Sequence, residues 1–250
     1  MKHPTVVLSI SLGVTLVFST SCRAGRDSST PASRPNIVLI TIDTLRADRL
    51  GRGFTPAIDG LAAAGVRFDN ARATVPLTLP SHVTIMTGLL PTAHGVRDNG
   101  VVFAPQASSP TLARRLRDAG YQTGGFVGAY VLDRRFGLVD GFDAYDDRVR
   151  RNPAEGILLE AERPGSEVVD AALAWLKQAR PHFFLWVHLY DPHAPHDPPP
   201  GYREKAGGDA YNGEVAYADA QVARIVDHPR AGGDGFDRRR HRRRSWRGSW

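Results

Sequence analysis

Apolar positions along the chain follow two patterns. Residues 36–43 read Asn-Ile-Val-Leu-Ile-Thr-Ile-Asp, and residues 183–191 read Phe-Phe-Leu-Trp-Val-His-Leu-Tyr-Asp. Each is a nearly unbroken apolar run that ends in an acid. Such runs fit strands of a parallel sheet covered on both faces. The second pattern is helical. Residues 55–65 begin with Thr55-Pro56 and end at Gly65, which are helix start and stop signals. Residues 110–120 place Leu112 and Leu116 on one stripe. In residues 166–179, Ser166 is the expected cap, and Val169, Leu173 and Leu176 the inward face. Residues 211–226 are also predicted helical. Shorter strands are predicted over residues 66–73 and 121–127. Residues 136–147, rich in acids and aromatics, lack calcium-loop spacing and read as a solvated loop. Strands alternating with helices predict an α/β fold: a mostly parallel central sheet with helices on both faces. There is no internal repeat.

Candidate chemistry gathers at Thr78-Leu79-Pro80-Ser81-His82, which runs into an apolar stretch ending at Gly88. Pro80 suits the first turn of a helix, where a missing N–H is harmless. Thr78 then stands at a helix mouth, where unpaired N–H groups and the dipole favour an anion. An ordinary N-cap is the competing reading. Asp43, at the end of the first strand, stands where a metal-binding carboxylate would, because ligands of open α/β sheets gather at the carboxyl ends of strands.

Together, the strand ending at Asp43 and the Thr78-x-Pro80-Ser81-His82 turn resemble the sulfatase family of the alkaline-phosphatase superfamily. In that family a strand ends in a metal-binding Asp. The nucleophile follows in a Cys/Ser-x-Pro-x-Arg turn. Thr84-Ile-Met-Thr-Gly88, Pro91 and the stretch from His94 to Gly100 match the continuation. His188-Leu-Tyr-Asp191-Pro-His193 resembles the family's substrate-side histidine motif. The resemblance runs from about Pro35 to about Val226. It implies an alkaline-phosphatase-like fold and a metal-dependent hydrolase of small anionic sulfuric esters. The implied catalytic residues are Thr78, His82 and His193, with Asp43 and Thr78 on a divalent metal ion. That ion is calcium by resemblance, with zinc as the alternative. His193 and Asp191 are implied on the substrate side; Asp191 equally fits a cap for the turn before Pro192. His94 reads as shaping its loop, and His196 as a surface residue.

The departures bear on the chemistry. The family's nucleophile is a Cys or Ser oxidised to formylglycine, and Thr78 cannot become that aldehyde because its β-carbon carries a methyl group. His82 replaces the family's Arg. The Lys and His expected near residues 124–132 are replaced by Gly-Gly-Phe-Val-Gly-Ala-Tyr-Val-Leu. A Thr nucleophile is typical of phosphodiesterases and phosphoethanolamine transferases in the same superfamily. A phosphoryl-transfer enzyme is therefore the second reading, and an exported lipoprotein without catalysis the third.

Composition is ordinary for a globular chain of 250 residues, with 42% hydrophobic and 23% charged positions. The net charge of +6 does not argue for nucleic acid, since seven Arg lie within residues 238–247. Residues 1–22 form a targeting segment: Lys2, an apolar stretch from Thr5 to Phe18, then small residues before Cys22. The pattern looks like a bacterial lipoprotein signal that places a lipid on Cys22, with a plain secretory signal as the alternative. It predicts an exported, periplasmic or cell-surface protein anchored to a membrane. Cys22 is the only cysteine, so no disulfide forms within the chain. Residues 23–34 read as a flexible tether, and residues 35–228 as the catalytic domain.

Residues 229–250 end in an Arg- and Trp-rich tail. Shifted by one base, with suitable synonymous codons, that tail reads as a buried strand followed by Ala-Asp-His-Gly-Glu. This is the late metal pair that the resemblance calls for. A one-base slip near residues 227–232 is the expectation. The chain as written is then expected to be weakly active or inactive, because Asp43 and Thr78 supply too few ligands for a hard cation.

Overall fold

The computed structural model describes residues 34–149 and 161–229. The targeting segment with Cys22, nearly all of the tether and the Arg-rich tail lie outside the described residues. The core element is a four-stranded sheet in the order β1-β4-β2-β3. Its strands are β1 (Ile37–Ile42), β2 (Gln122–Val127), β3 (Ala144–Asp146) and β4 (Phe183–Leu189), and every pairing is parallel. Helices cover both faces, as the alternation of patterns predicts.

Side chains alternate across a strand, and here the alternation sorts the core into two layers. Phe184 and Trp186 of β4 and Ile37 and Leu39 of β1 pack with α2 (Thr78–Thr87) and α4 (Leu112–Asp118). Phe183, Leu185, Val187 and Leu189, with Val38, Ile40 and Ile42, pack with α5 (Gly165–Gln178) and α7 (Ala210–Val226). The same parity places Thr41, Asp43 and His188 on the α2 side. Two polar residues and one acid therefore share the face that carries the Thr78–His82 turn. β2 lies close under its neighbours: a Cβ on Gly124 would meet Trp175 at 2.9 Å, and one on Gly125 would meet Tyr145 at 2.8 Å. The glycines that replace the family's expected side chains in this stretch let those two rings lie against the sheet.

The helix expected over residues 55–65 is α1 (Pro56–Ala64). Thr55 does not cap it; its hydroxyl donates to Asp59. The caps come from α7 instead, where the buried Asp219 carboxylate accepts from Ala57 N at 3.0 Å and Ile58 N at 2.9 Å. Two short helices complete the described set: α3 (Pro91–His94) and α6 (Tyr202–Lys205).

Three expectations are corrected. Residues 66–73 form no strand; they pair with no described strand, and Val66 and Phe68 lie 77% and 79% exposed. Extended local preference does not make a strand without a ladder partner. Residues 136–147 are not a solvated loop. They contain β3, bury Phe136, Leu138 and Phe142, and pair their acids with arginines, Arg134–Asp147 at 2.8 Å and Arg163–Asp146 at 3.1 Å among them. Their acids and apolar residues alternate, so one set can pair while the other packs. Ser166 is not the cap of α5. Its N–H donates to Tyr217 Oη, and the helix starts one residue earlier.

The Asp219 caps are testable. Asp219→Ala leaves two helix donors without their acceptors, and a loss of about 1–3 kcal/mol is expected in urea unfolding. An unchanged midpoint would mean that water caps α1 equally well.

Candidate active site

The site forms where the α2 face of the sheet meets the carboxyl ends of β1 and β4. Asp43 follows β1, and its N–H extends the ladder to Leu189 O at 2.9 Å. Thr44, the next residue, turns the chain away with φ at 50°, an uncommon region for a β-branched residue. Such a conformation costs about 1–3 kcal/mol and persists only where neighbours impose it. Here the Thr44 hydroxyl donates to Pro192 O at 2.9 Å, and Tyr211 Oη donates to Thr44 O at 2.8 Å.

Thr78 is the first residue of α2, and Leu77 is its N-cap. The Thr78 hydroxyl caps nothing. It donates to Asp43 Oδ2 at 2.7 Å, while Asn99 Oδ1 accepts from Leu79 N at 3.0 Å. Asn99 thus takes the capping role and leaves the Thr78 oxygen to face Asp43. Both line a cavity of about 540 Å³, together with Ser81, His82, Asn99 and His193.

Charge around Asp43 favours its ionised form. Burial pushes the carboxyl up, but His188 and the Thr78 hydroxyl outweigh it and hold the pKa at about 2. His188 Nε2 stands 3.6 Å from Asp43 Oδ2, and neither of its ring nitrogens has a hydrogen-bond partner.

His82 does a different job. Its Nδ1 lies 2.7 Å from Thr78 O, and its Nε2 lies 3.1 Å from Thr41 Oγ1. A carbonyl only accepts, so Nδ1 carries the proton and Nε2 accepts from Thr41. Thr41 in turn accepts from Trp186 Nε1 at 3.1 Å. The chain Trp186–Thr41–His82–Thr78 ties the sheet to the first turn of α2. Burial, with His188 alongside, pushes the His82 pKa down to about 3, so the ring is neutral.

His193 lines the same cavity. Its ring stacks on Tyr190, with centroids 4.3 Å apart, and its Nδ1 donates to Ala194 O at 2.7 Å. That leaves Nε2 to meet a substrate. Asp191 is turned elsewhere: its carboxylate accepts from Gly165 N at 3.0 Å, in the first turn of α5.

This geometry belongs with the comparisons to known proteins. The family model described as Sulfatase matches residues 35–231. The chain belongs to the sulfatase family. It is 31% identical over 140 residues to an N-acetylgalactosamine-6-O-sulfatase of Bacteroides thetaiotaomicron, which covers 53% of this chain and 27% of that protein. It is 29% identical over 167 residues to an ectonucleotide pyrophosphatase/phosphodiesterase of Caenorhabditis elegans, which covers 64% of this chain and 22% of that one. The fold is similar to that of an alkaline-phosphatase-superfamily protein from Vibrio parahaemolyticus. The TM-score is 0.55 at 22% identity, over 83% of this chain and 51% of the other. This chain spans about a quarter of the length of the two curated relatives.

Within this sulfatase domain, the structure brings Asp43, Thr78, His82 and His193 to one cavity. It turns the Asp191 carboxylate to Gly165 N at the start of α5, a different cap from the one expected for the turn before Pro192. His82 has both nitrogens engaged and acts as a positioning residue for Thr78. His94 shapes its loop, bonded to Thr84 and to Val96 N. His196 is not a plain surface residue: its Nδ1 lies 3.0 Å from Glu214 Oε2, and its ring meets Tyr211 edge-on. Sequence reading passed over Thr41, Asn99 and His188 as site residues. The signal for Thr41 and His188 was a lone polar residue inside each apolar strand, at paired positions. Nothing local marks Asn99, whose role depends on where α2 ends up.

A metal ion would find two hard oxygens here, Asp43 Oδ2 and Thr78 Oγ1. They suit two positions of a divalent cation's shell, and six or more oxygens are usual for calcium. Among the described residues no group of three His, Cys, Asp or Glu comes together to hold a metal.

The buried chain can be tested with Thr41→Val. It keeps the shape but leaves His82 Nε2 and Trp186 Nε1 unpaired, and a loss of about 1–3 kcal/mol is expected on thermal unfolding. A variant as stable as the parent would mean that the chain does not hold α2 in place.

Proposed function

We propose that this protein hydrolyses sulfuric esters, with Thr78 in the nucleophile position. The observation that carries the reading is the Thr78 hydroxyl held 2.7 Å from the ionised Asp43, at a helix mouth and inside a cavity. Asp43 orients the hydroxyl and draws on its proton. The N-terminal dipole of α2 favours the anionic oxygens of the ester. His193 Nε2, once protonated, donates to the leaving oxygen. In balance, the Thr78 oxygen bonds to sulfur, the bond from sulfur to the leaving oxygen breaks, and water later cleaves the sulfated threonine. A divalent cation on Asp43 and Thr78 would lower the hydroxyl's pKa and neutralise charge on the ester.

Phosphoryl transfer is the second reading. It is supported by the nucleophile, since a threonine cannot form the aldehyde, and by the likeness to the nematode phosphodiesterase.

The test assays aryl sulfate and aryl phosphate with calcium and separately with zinc. Two forms are compared: the 250-residue chain, and an extended form whose tail is rebuilt as the expected strand followed by Ala-Asp-His-Gly-Glu. The extended form is expected to turn over the sulfate with calcium. Thr78→Ala in it should lower turnover by about a thousandfold or more without moving the unfolding midpoint. Robust turnover by the shorter chain would show that no further ligands are needed. Activity confined to the phosphate with zinc would move the assignment to phosphoryl transfer.

The reading also places the protein outside the cytoplasm, lipid-anchored at Cys22. Cys22→Ser should move it from the membrane fraction to the soluble one, as read by fractionation and lipid labelling. An unchanged distribution would leave only a plain secretory signal.

A further inference from the structure

A second cavity, of about 450 Å³, adjoins the first and shares Thr44 and His193 with it. Arg46, Arg49, His196 and Tyr211 are among the residues that line it. The two arginines follow directly from the turn at Thr44. Tyr211 Oη accepts from Arg46 N at 2.9 Å while it donates to Thr44 O, so α7 holds the arginine-bearing turn in place.

These cations are not equally committed. Arg46 spends Nε and Nη2 on Asp48, at 3.0 and 2.7 Å. Arg49 comes only within 3.7 Å of Asp48, and its Nε is buried with no hydrogen-bond partner. Nε faces Asp48 at that distance, and the exposed terminal nitrogens of the guanidinium are the ones a bound anion would meet. The cavity's own acid does not take that place. Asp209 Oδ1 is taken up by Asn212 N at 2.9 Å, as the cap of α7. His196 is tied to Glu214 through Nδ1, which leaves its other nitrogen for a ligand.

His193 belongs to both cavities, and it is the group assigned to the leaving oxygen. The second cavity therefore lies on the side of the alcohol being released. We propose that it is an anion subsite, with Arg49 as its principal contact, which selects esters whose alcohol carries a second anionic group. A carboxylate or a further ester of sulfate or phosphate would satisfy it. This proposal rests on the reading of the first cavity as the active site.

The test is equilibrium binding, which does not depend on turnover. Alkanesulfonates are stable mimics of the sulfate group. Calorimetry on the 250-residue chain compares a monosulfonate with α,ω-disulfonates and ω-sulfocarboxylates of increasing chain length. A ligand that spans both cavities is expected to bind about tenfold more tightly than its monosulfonate counterpart, the gain of one charge-assisted contact. Arg49→Gln should remove that gain and leave monosulfonate affinity unchanged. Whether the disulfonate or the sulfocarboxylate gains more identifies the second group. No gain at any chain length overturns the subsite while the active-site reading stands. Equal weakening of both ligand types by Arg49→Gln also overturns it. Binding of neither ligand, by this chain or by the extended form with calcium, overturns the active-site reading, and the subsite with it. Should Arg49→Gln fail to fold, the wild-type comparison alone decides.

Discussion

The oxygen of Thr78 can serve chemistry only because another residue does its structural job. A hydroxyl at a helix start ordinarily satisfies a backbone N–H of the first turn. Here Asn99 takes Leu79 N, and the Thr78 hydroxyl turns to Asp43 instead. The first turn of α2 is then held from below by His82, Thr41 and Trp186. The Thr78 hydroxyl, the Asp43 carboxylate and the helix dipole are thereby aligned without a ligand, the preorganisation that the proposed chemistry would use.

Holding that alignment requires polar groups inside an apolar layer, and each needs a partner there. The Trp186–Thr41–His82 chain meets the requirement with every member bonded. His188 does not: it is fully buried, and both of its nitrogens lack a hydrogen-bond partner. Its Nε2 stands 3.6 Å from Asp43 Oδ2. Among the described residues Thr44 and His182 stand in the left-handed region, and Arg49, Arg163 and Asn212 also hold a buried polar atom without a hydrogen-bond partner. The opposite face, packed by α5 and α7, is apolar along the whole of β1 and β4.

The unbroken apolar runs at β1 and β4 and the striped helices were legible from the sequence, but not the caps of α1 and α5. Period and run length are local properties, and burial on both faces of a parallel sheet leaves no other pattern. The same holds for Asp43 and Thr78, whose motif spacing marks them without reference to distant residues. Residues 66–73 went the other way, since strand formation needs a partner that local preference does not supply. The acids of residues 136–147 read as solvated because the arginines that bind them lie elsewhere in the sequence, Arg114 and Arg163 among them. Which acceptor a helix end, a histidine or an acid finds is likewise set by tertiary packing. That is why Asp219 caps α1, Asp191 caps α5 and Asn99 frees Thr78. Sequence by itself determined the elements and the chemical groups at their ends. Tertiary structure alone decided the partners, because a hydrogen bond acts over about 3 Å between residues that the chain separates by as many as 167 positions.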